Sequence, residues 1–164
     1  MLNKVSQDVR FAMTEALQKI ANDREILHKD HKSSRPLSKN YEYVGLKGES
    51  QFAEEFGFKI DKELRPSGDK GIDFKSILGT IDVKTARKAY NLIVEENKVN
   101  SDIYVLAEYT DNTDTAKLLG WAYSLEVSNA PIRNFGYGIM NHYIPKDNLR
   151  TIKLLKNLLE VNND

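Results

Sequence analysis

Apolar residues return at helical spacing near the start of the chain: Val5, Val9, Ala12, Met13, Ala16, Leu17 and Ile20. That spacing predicts an amphipathic helix from Val5 to about Ala21, suited to packing on the core or on a second subunit. The pattern stops at Arg24. From there to Lys47 the chain is its most polar, with Lys29, Lys32, Arg35 and Lys39 on either side of the breaker Ser33-Ser34-Arg35-Pro36. Such a segment reads as a basic track for a phosphate backbone or as a solvated helix end and linker, and both readings stay open. Gly45-Leu46-Lys47-Gly48 then leads into a predicted helix from Glu49 to about Phe56. At 100° per residue Phe52, Ala53 and Phe56 share one side, and Glu49 falls on that side while Glu54 and Glu55 fall outside it.

From Ile72 the period changes from 3.6 to 2. Ile72 and Phe74 alternate with Asp73, and Ile81 and Val83 alternate with Asp82 and Lys84. Two short strands joined by a turn near Leu78-Gly79 are predicted. Centring the turn there sets residue 77 opposite 80, which puts Asp73 opposite Lys84 and diagonal to Asp82. Opposed residues lie about 5 Å apart at Cβ and diagonal ones about 7 Å, so two carboxylates and an ammonium converge on one face. A slip of one residue would dissolve the arrangement.

Further along, Asn91 to Val94 reads as a short strand and Glu95 to Lys98 as a turn. Asp102 to Tyr109 is apolar enough for a central strand, and Thr115 to Ala122 pairs with it. A short helix follows near Ser124 to Ser128. The stretch Arg133 to Gly138 reads as an aromatic, basic loop, either a plain connection or a surface for stacking bases. His142 to Leu149 closes a strand and opens a last helix with Leu149, Ile152, Leu155, Leu158 and Leu159 as its stripe. This order predicts an α/β fold with a mixed central sheet flanked by helices and an extra N-terminal helix. It divides the chain into an N-terminal helix and basic linker (1–47, for dimerisation or DNA contact) and a core (48–164).

Composition adds bounds. The 164 residues suit one domain. There is no cysteine, so disulfides and thiolate chemistry are out. No apolar run approaches a membrane span and the first residues lack the apolar centre of a signal peptide, so the expected location is the cytoplasm. The 24 basic residues equal the 24 acidic ones. That argues against a broad cationic coat on nucleic acid but allows a local basic track.

The chemistry rests on the hairpin. Two neighbouring carboxylates repel unless a cation sits between them, and hard oxygen donors suit Mg2+ or Mn2+. A lysine beside such an ion can orient an attacking water and help to deprotonate it. The plainer alternative is a solvated strand face with a cross-strand ion pair. Asp73, followed by Asp82-Val83-Lys84 on the next strand and preceded by Gly48-Glu49 at a helix start, resembles the signature of the PD-(D/E)xK nuclease superfamily. The Gly71-Ile72-Asp73-Phe74 context is similar to its resolvase-like and phage-encoded branches, although Ile72 stands where a proline often does. The resemblance covers roughly Gly48 to Leu149. It implies a restriction-endonuclease-like fold and Mg2+-dependent hydrolysis of DNA, with Mn2+ substituting. Asp73, Asp82, the Val83 carbonyl and Glu49 would hold metal, and Lys84 would position and activate water. Arg87 and Lys88, with Lys70 and Arg35, would meet flanking phosphates. Duplex or branched DNA and a homodimer are the implied partners. The alternative is a non-catalytic nucleic-acid-binding protein that keeps the nuclease fold.

Overall fold

A computed structural model describes residues 14–22, 40–59 and 72–162. The chain is α/β, as the residue pattern predicts. A four-stranded mixed sheet has the order β1-β2-β4-β5, with β1 Phe74–Ser76, β2 Gly79–Ala86, β4 Ile103–Thr110 and β5 Thr115–Tyr123. The β2–β4 pair is parallel, and the pairs on either side of it are antiparallel. Parallel neighbours need a crossover, usually a helix. Here the crossover carries β3 (Asn91–Glu95), which joins β7 (Met140–Pro145) and β6 (Ile132–Asn134) in a second sheet of order β3-β7-β6.

The two sheets explain why helices do not flank both faces as expected. Helices α2 (Tyr41–Phe56) and α4 (Ile152–Asn162) cover one face of the mixed sheet, where Phe52, Ile81, Val83, Ile103, Val105, Trp121 and Leu155 pack together. The second sheet and the short helix α3 (Ser124–Ser128) cover the other, burying Leu92, Val94, Tyr104, Leu106, Ala122 and Val127. Leu149 precedes α4 and joins this second cluster rather than the helix stripe.

The described part of the N-terminal helix, α1 (residues 14–22), packs on its own chain. Its Leu17 and Ala21 are buried with Tyr43, Val44 and Leu46 of α2 and Tyr109 of β4. Val5, Val9, Ala12 and Met13 of the expected stripe lie outside the described residues. Helix α2 begins eight residues before the expected Glu49, so the 47/48 division falls inside it. Two glycines had argued for a loop. Gly48 instead lets α2 approach β2 closely: a Cβ there would lie 3.0 Å from Thr85 Cβ and collide with Thr85 Oγ1. Helix α2 ends at Gly57, whose φ of 73° suits glycine, and its N–H donates to the Ala53 carbonyl.

Gly48→Ala relieves glycine's helix penalty of about 1 kcal/mol but forces Thr85 aside, at about 1–3 kcal/mol for overpacking. We expect a net loss of about 1 kcal/mol in a denaturant melt, and recovery when Thr85→Ala makes room.

Candidate active site

The β1–β2 hairpin turns at Ile77-Leu78, one position before the expected centre. Gly79 takes a φ of 116° as the first residue of β2, and Asp102 packs where its side chain would be. Asp102 Oδ2 accepts from the Thr80 N–H at 2.9 Å, which fastens the turn to the start of β4. Phe74 therefore pairs with Ile81 and Ser76 with Gly79. Cross-strand pairing is shifted by two residues from expectation, and an even shift keeps every side chain on its face. Asp73 consequently sits beside Asp82 rather than opposite Lys84. Its N–H donates to the Ile81 carbonyl at 2.9 Å, and its Oδ2 accepts from the Val83 N–H at 2.7 Å. The carboxylate thus caps the outer edge of β2 where β1 has ended. Because N–H and C=O of a strand residue point to the same neighbour, the Val83 carbonyl faces that same open edge.

Asp82 is only 4% exposed. It pairs in register with Tyr104 on β4, so it faces the second sheet. The Lys84 Nζ lies 2.8 Å from its Oδ2. That oxygen has no hydrogen bond of good angle, so the contact is chiefly one of charge. Burial pulls the Lys84 ammonium down, but the charge and contact of Asp82, with Asp73 farther off, outweigh it and lift the group above the usual lysine range. A lysine raised in this way keeps its positive charge at neutral pH.

Glu49 stands apart from this pair. It is half-buried in the middle of α2, one residue after the glycine that meets Thr85. Helix α2 covers the face of β2 that carries Ile81 and Val83, whereas Asp82 and Lys84 belong to the other face. Among the described residues no three His, Cys, Asp or Glu side chains form a metal-binding group. The expected ring of three acids is not assembled; two come together. The expectation set Glu49 at a helix start, whereas α2 begins at Tyr41.

The expected phosphate contacts divide as well. Lys88 is exposed just beyond β2. Arg87 is drawn into the structure, with its Nε 2.8 Å from Asp111 Oδ2 and its guanidinium over the Tyr109 ring. Lys70 and Arg35 lie outside the described residues. Tyr90, two residues after Lys88, is 64% exposed. His142 is buried, and its Nδ1 lies 3.0 Å from the Ala130 carbonyl. A carbonyl only accepts, so Nδ1 carries the proton and the ring fastens β7 to the α3–β6 connection.

One polar cluster escaped the sequence altogether. Asp114 closes the β4–β5 turn at a φ of 50° and accepts hydrogen bonds from the Tyr43 hydroxyl at 2.8 Å and the Tyr109 hydroxyl at 2.8 Å. Lys47 Nζ lies 3.7 Å from its other oxygen. Burial first, then the Asp114 bond and charge, push the Tyr109 phenol up to about 12 and raise Tyr43 further. The cluster ties α2 to the sheet end where β2 delivers Lys84 and Arg87. Nothing in a turn of sequence Thr110-Asp111-Asn112-Thr113-Asp114 points to a tyrosine 71 positions earlier.

No helix among the described residues is long and apolar enough to cross a membrane. Compared with protein-family models, with curated proteins and with solved structures, the chain matches none.

Proposed function

We propose that this chain is a divalent-metal-dependent endonuclease of DNA, built on a restriction-endonuclease-like core. One observation carries the reading: a tight hairpin holds Asp73 at the backbone of Val83, beside a buried Asp82 whose carboxylate meets the Lys84 ammonium at 2.8 Å. Keeping a carboxylate this far from water is costly, and a lone solvated ion pair gives no reason to do it.

The donor set suits Mg2+ or Mn2+. Asp73, Asp82 and the Val83 carbonyl are hard oxygens, and Mg2+ is commonly held by one or two carboxylates with water and substrate phosphate completing its shell. Those three groups would hold the ion, with Glu49 acting at most through water from beyond β2. The ion would supply positive charge where negative charge builds on the phosphoryl oxygens, and would acidify a water. Lys84 donates hydrogen bonds that orient the attacking water or hold a phosphate oxygen. Lys88 grips a flanking phosphate, with Lys70 and Arg35 as further cations; Arg87, already engaged with Asp111, contributes less. A homodimer that cuts both strands would need a surface other than the packed face of α1.

A second reading has one observation in its favour. Lys84 and Asp82 satisfy each other's charge and, among the described residues, no group of three metal-ligating side chains forms, as in a nucleic-acid-binding protein that has lost catalysis. Incubation with duplex, single-stranded and four-way-junction DNA and with matched RNA, in Mn2+ or EDTA, separates the two. The nuclease reading expects DNA cleavage in Mn2+ only. Binding of the same substrates without cleavage in either condition would replace it with the second reading.

A further inference from the structure

The β6–β7 hairpin presents aromatic rings to solvent, Tyr137 most of all. Its tip, Gly136-Tyr137-Gly138, takes three successive positive φ values of 122°, 61° and 74°. A Cβ at either glycine would meet nothing within 4 Å, so the tip projects clear of the body. Tyr137 is 74% exposed there, at a conformation that a bulky residue seldom adopts. Below it Phe135 is 39% exposed, with the Arg133 guanidinium 5.2 Å over one face and Tyr143 set edge-on at 5.6 Å. The base of the hairpin is firm: Ile132 pairs with His142, and the Asn134 side chain accepts from the Gly136 N–H at 2.8 Å. Rings are thus held ready on a fixed support instead of folding back to cover themselves.

Charge narrows what would meet them. Between Glu126 and Asp147 the chain has no acidic residue, and Arg133 and Lys146 supply cations in that span. The neighbouring strand β3 brings Glu95, paired with Lys98, and Glu96 alongside Asn141 and Met140 of β7, so the acids lie at the flank of the hairpin and not on it. A projecting finger of rings with a guanidinium and no carboxylate of its own fits a ligand of flat π-faces joined by anions. A flat, broad apolar face would suit another protein better than this narrow tip does.

We propose that the β6–β7 hairpin is a stacking finger for unpaired nucleobases. Tyr137 and Phe135 receive base faces, and Arg133 holds Phe135 in place and meets an adjoining phosphate. The inference rests on the nuclease reading for the class of ligand, and it selects among substrates: DNA with unpaired bases, such as single strands, flaps and junctions, is preferred over continuous duplex.

The test measures binding in EDTA, apart from cleavage, by fluorescence anisotropy of a labelled oligothymidine, the matching oligouridine and a duplex of equal length. The parent should bind the single strands several-fold more tightly than the duplex. Tyr137→Ala and Phe135→Ala should each weaken single-strand binding about tenfold, as expected for one base–ring stack. Tyr137→Phe should bind as the parent does, and Leu154→Ala, an exposed change on α4, should leave this binding unchanged. Because binding is read in EDTA, failure here and failure of the cleavage reading are told apart. The DNA and RNA arms show whether the sugar matters. Equal binding by Tyr137→Ala and the parent overturns the proposal, as does preference for duplex. So does a parent that self-associates in sedimentation while Tyr137→Ala stays monomeric, because the finger then serves a second copy.

Discussion

Lys84→Ala is expected to lower the DNA cleavage rate in Mn2+ by about 10²–10⁴-fold, the usual range for a positioned proton-handling or charge-stabilising group. The argument is geometric. The ammonium is pinned 2.8 Å from a buried carboxylate on the same strand face, so it reaches the reacting phosphate in one fixed place. Truncation also leaves Asp82 buried without its counter-charge. Losing one partner of a fully buried pair costs about 3–5 kcal/mol, but Lys84 keeps 40% of its side chain in solvent and the cost here is lower. A melt run beside the cleavage assay separates the two effects. A folded Lys84→Ala protein that cuts at the parental rate would remove Lys84 from the mechanism.

Asp114→Ala should produce the largest loss of stability at neutral pH, about 2–4 kcal/mol by denaturant melt. It takes the shared acceptor from two buried phenols at once, of which Tyr43 keeps a hydrogen bond with the Thr14 side chain, and each buried group left without a partner costs about 1–3 kcal/mol. Asp114→Asn should cost less, since asparagine tolerates the left-handed backbone and retains an acceptor. The effect has a pH signature. Tyrosine titrates near 10 when unfolded, and Tyr109 at about 12 in the fold, with Tyr43 also raised. A raised folded value means the contribution is complete below pH 10 and is lost as pH climbs through the folded value. Parental stability should therefore fall between about pH 10 and 12. In Asp114→Ala the fall should be shallower, because the acid's share of the shift is gone while burial remains. An unchanged slope would show that burial alone sets these phenols.

Where the chain alternates or repeats cleanly, its sequence was enough. The strands around Asn91, Asp102 and Thr115 and the short helix at Ser124 all follow from local pattern. The pairing of acids on the hairpin face was also legible, because face depends on parity and survives a two-residue shift. What stayed hidden depends on distant neighbours. Gly48 reads as a helix breaker until Thr85 is seen against it, and so Glu49 reads as a helix start when it lies in the middle of α2. Gly79 reads as a turn centre until Asp102 is seen filling its empty side. That β3 leaves the first sheet for a second is a matter of long-range pairing with Asn141–Pro145, which no local pattern encodes.

The central claim is that Asp73 and Asp82 share a divalent cation at the open edge of β2. Calorimetric titration of Mn2+ into the parent and into Asp82→Asn tests it most directly. The account predicts saturable binding by the parent and its loss in the variant, with the fold intact. Identical isotherms for the two proteins would contradict it.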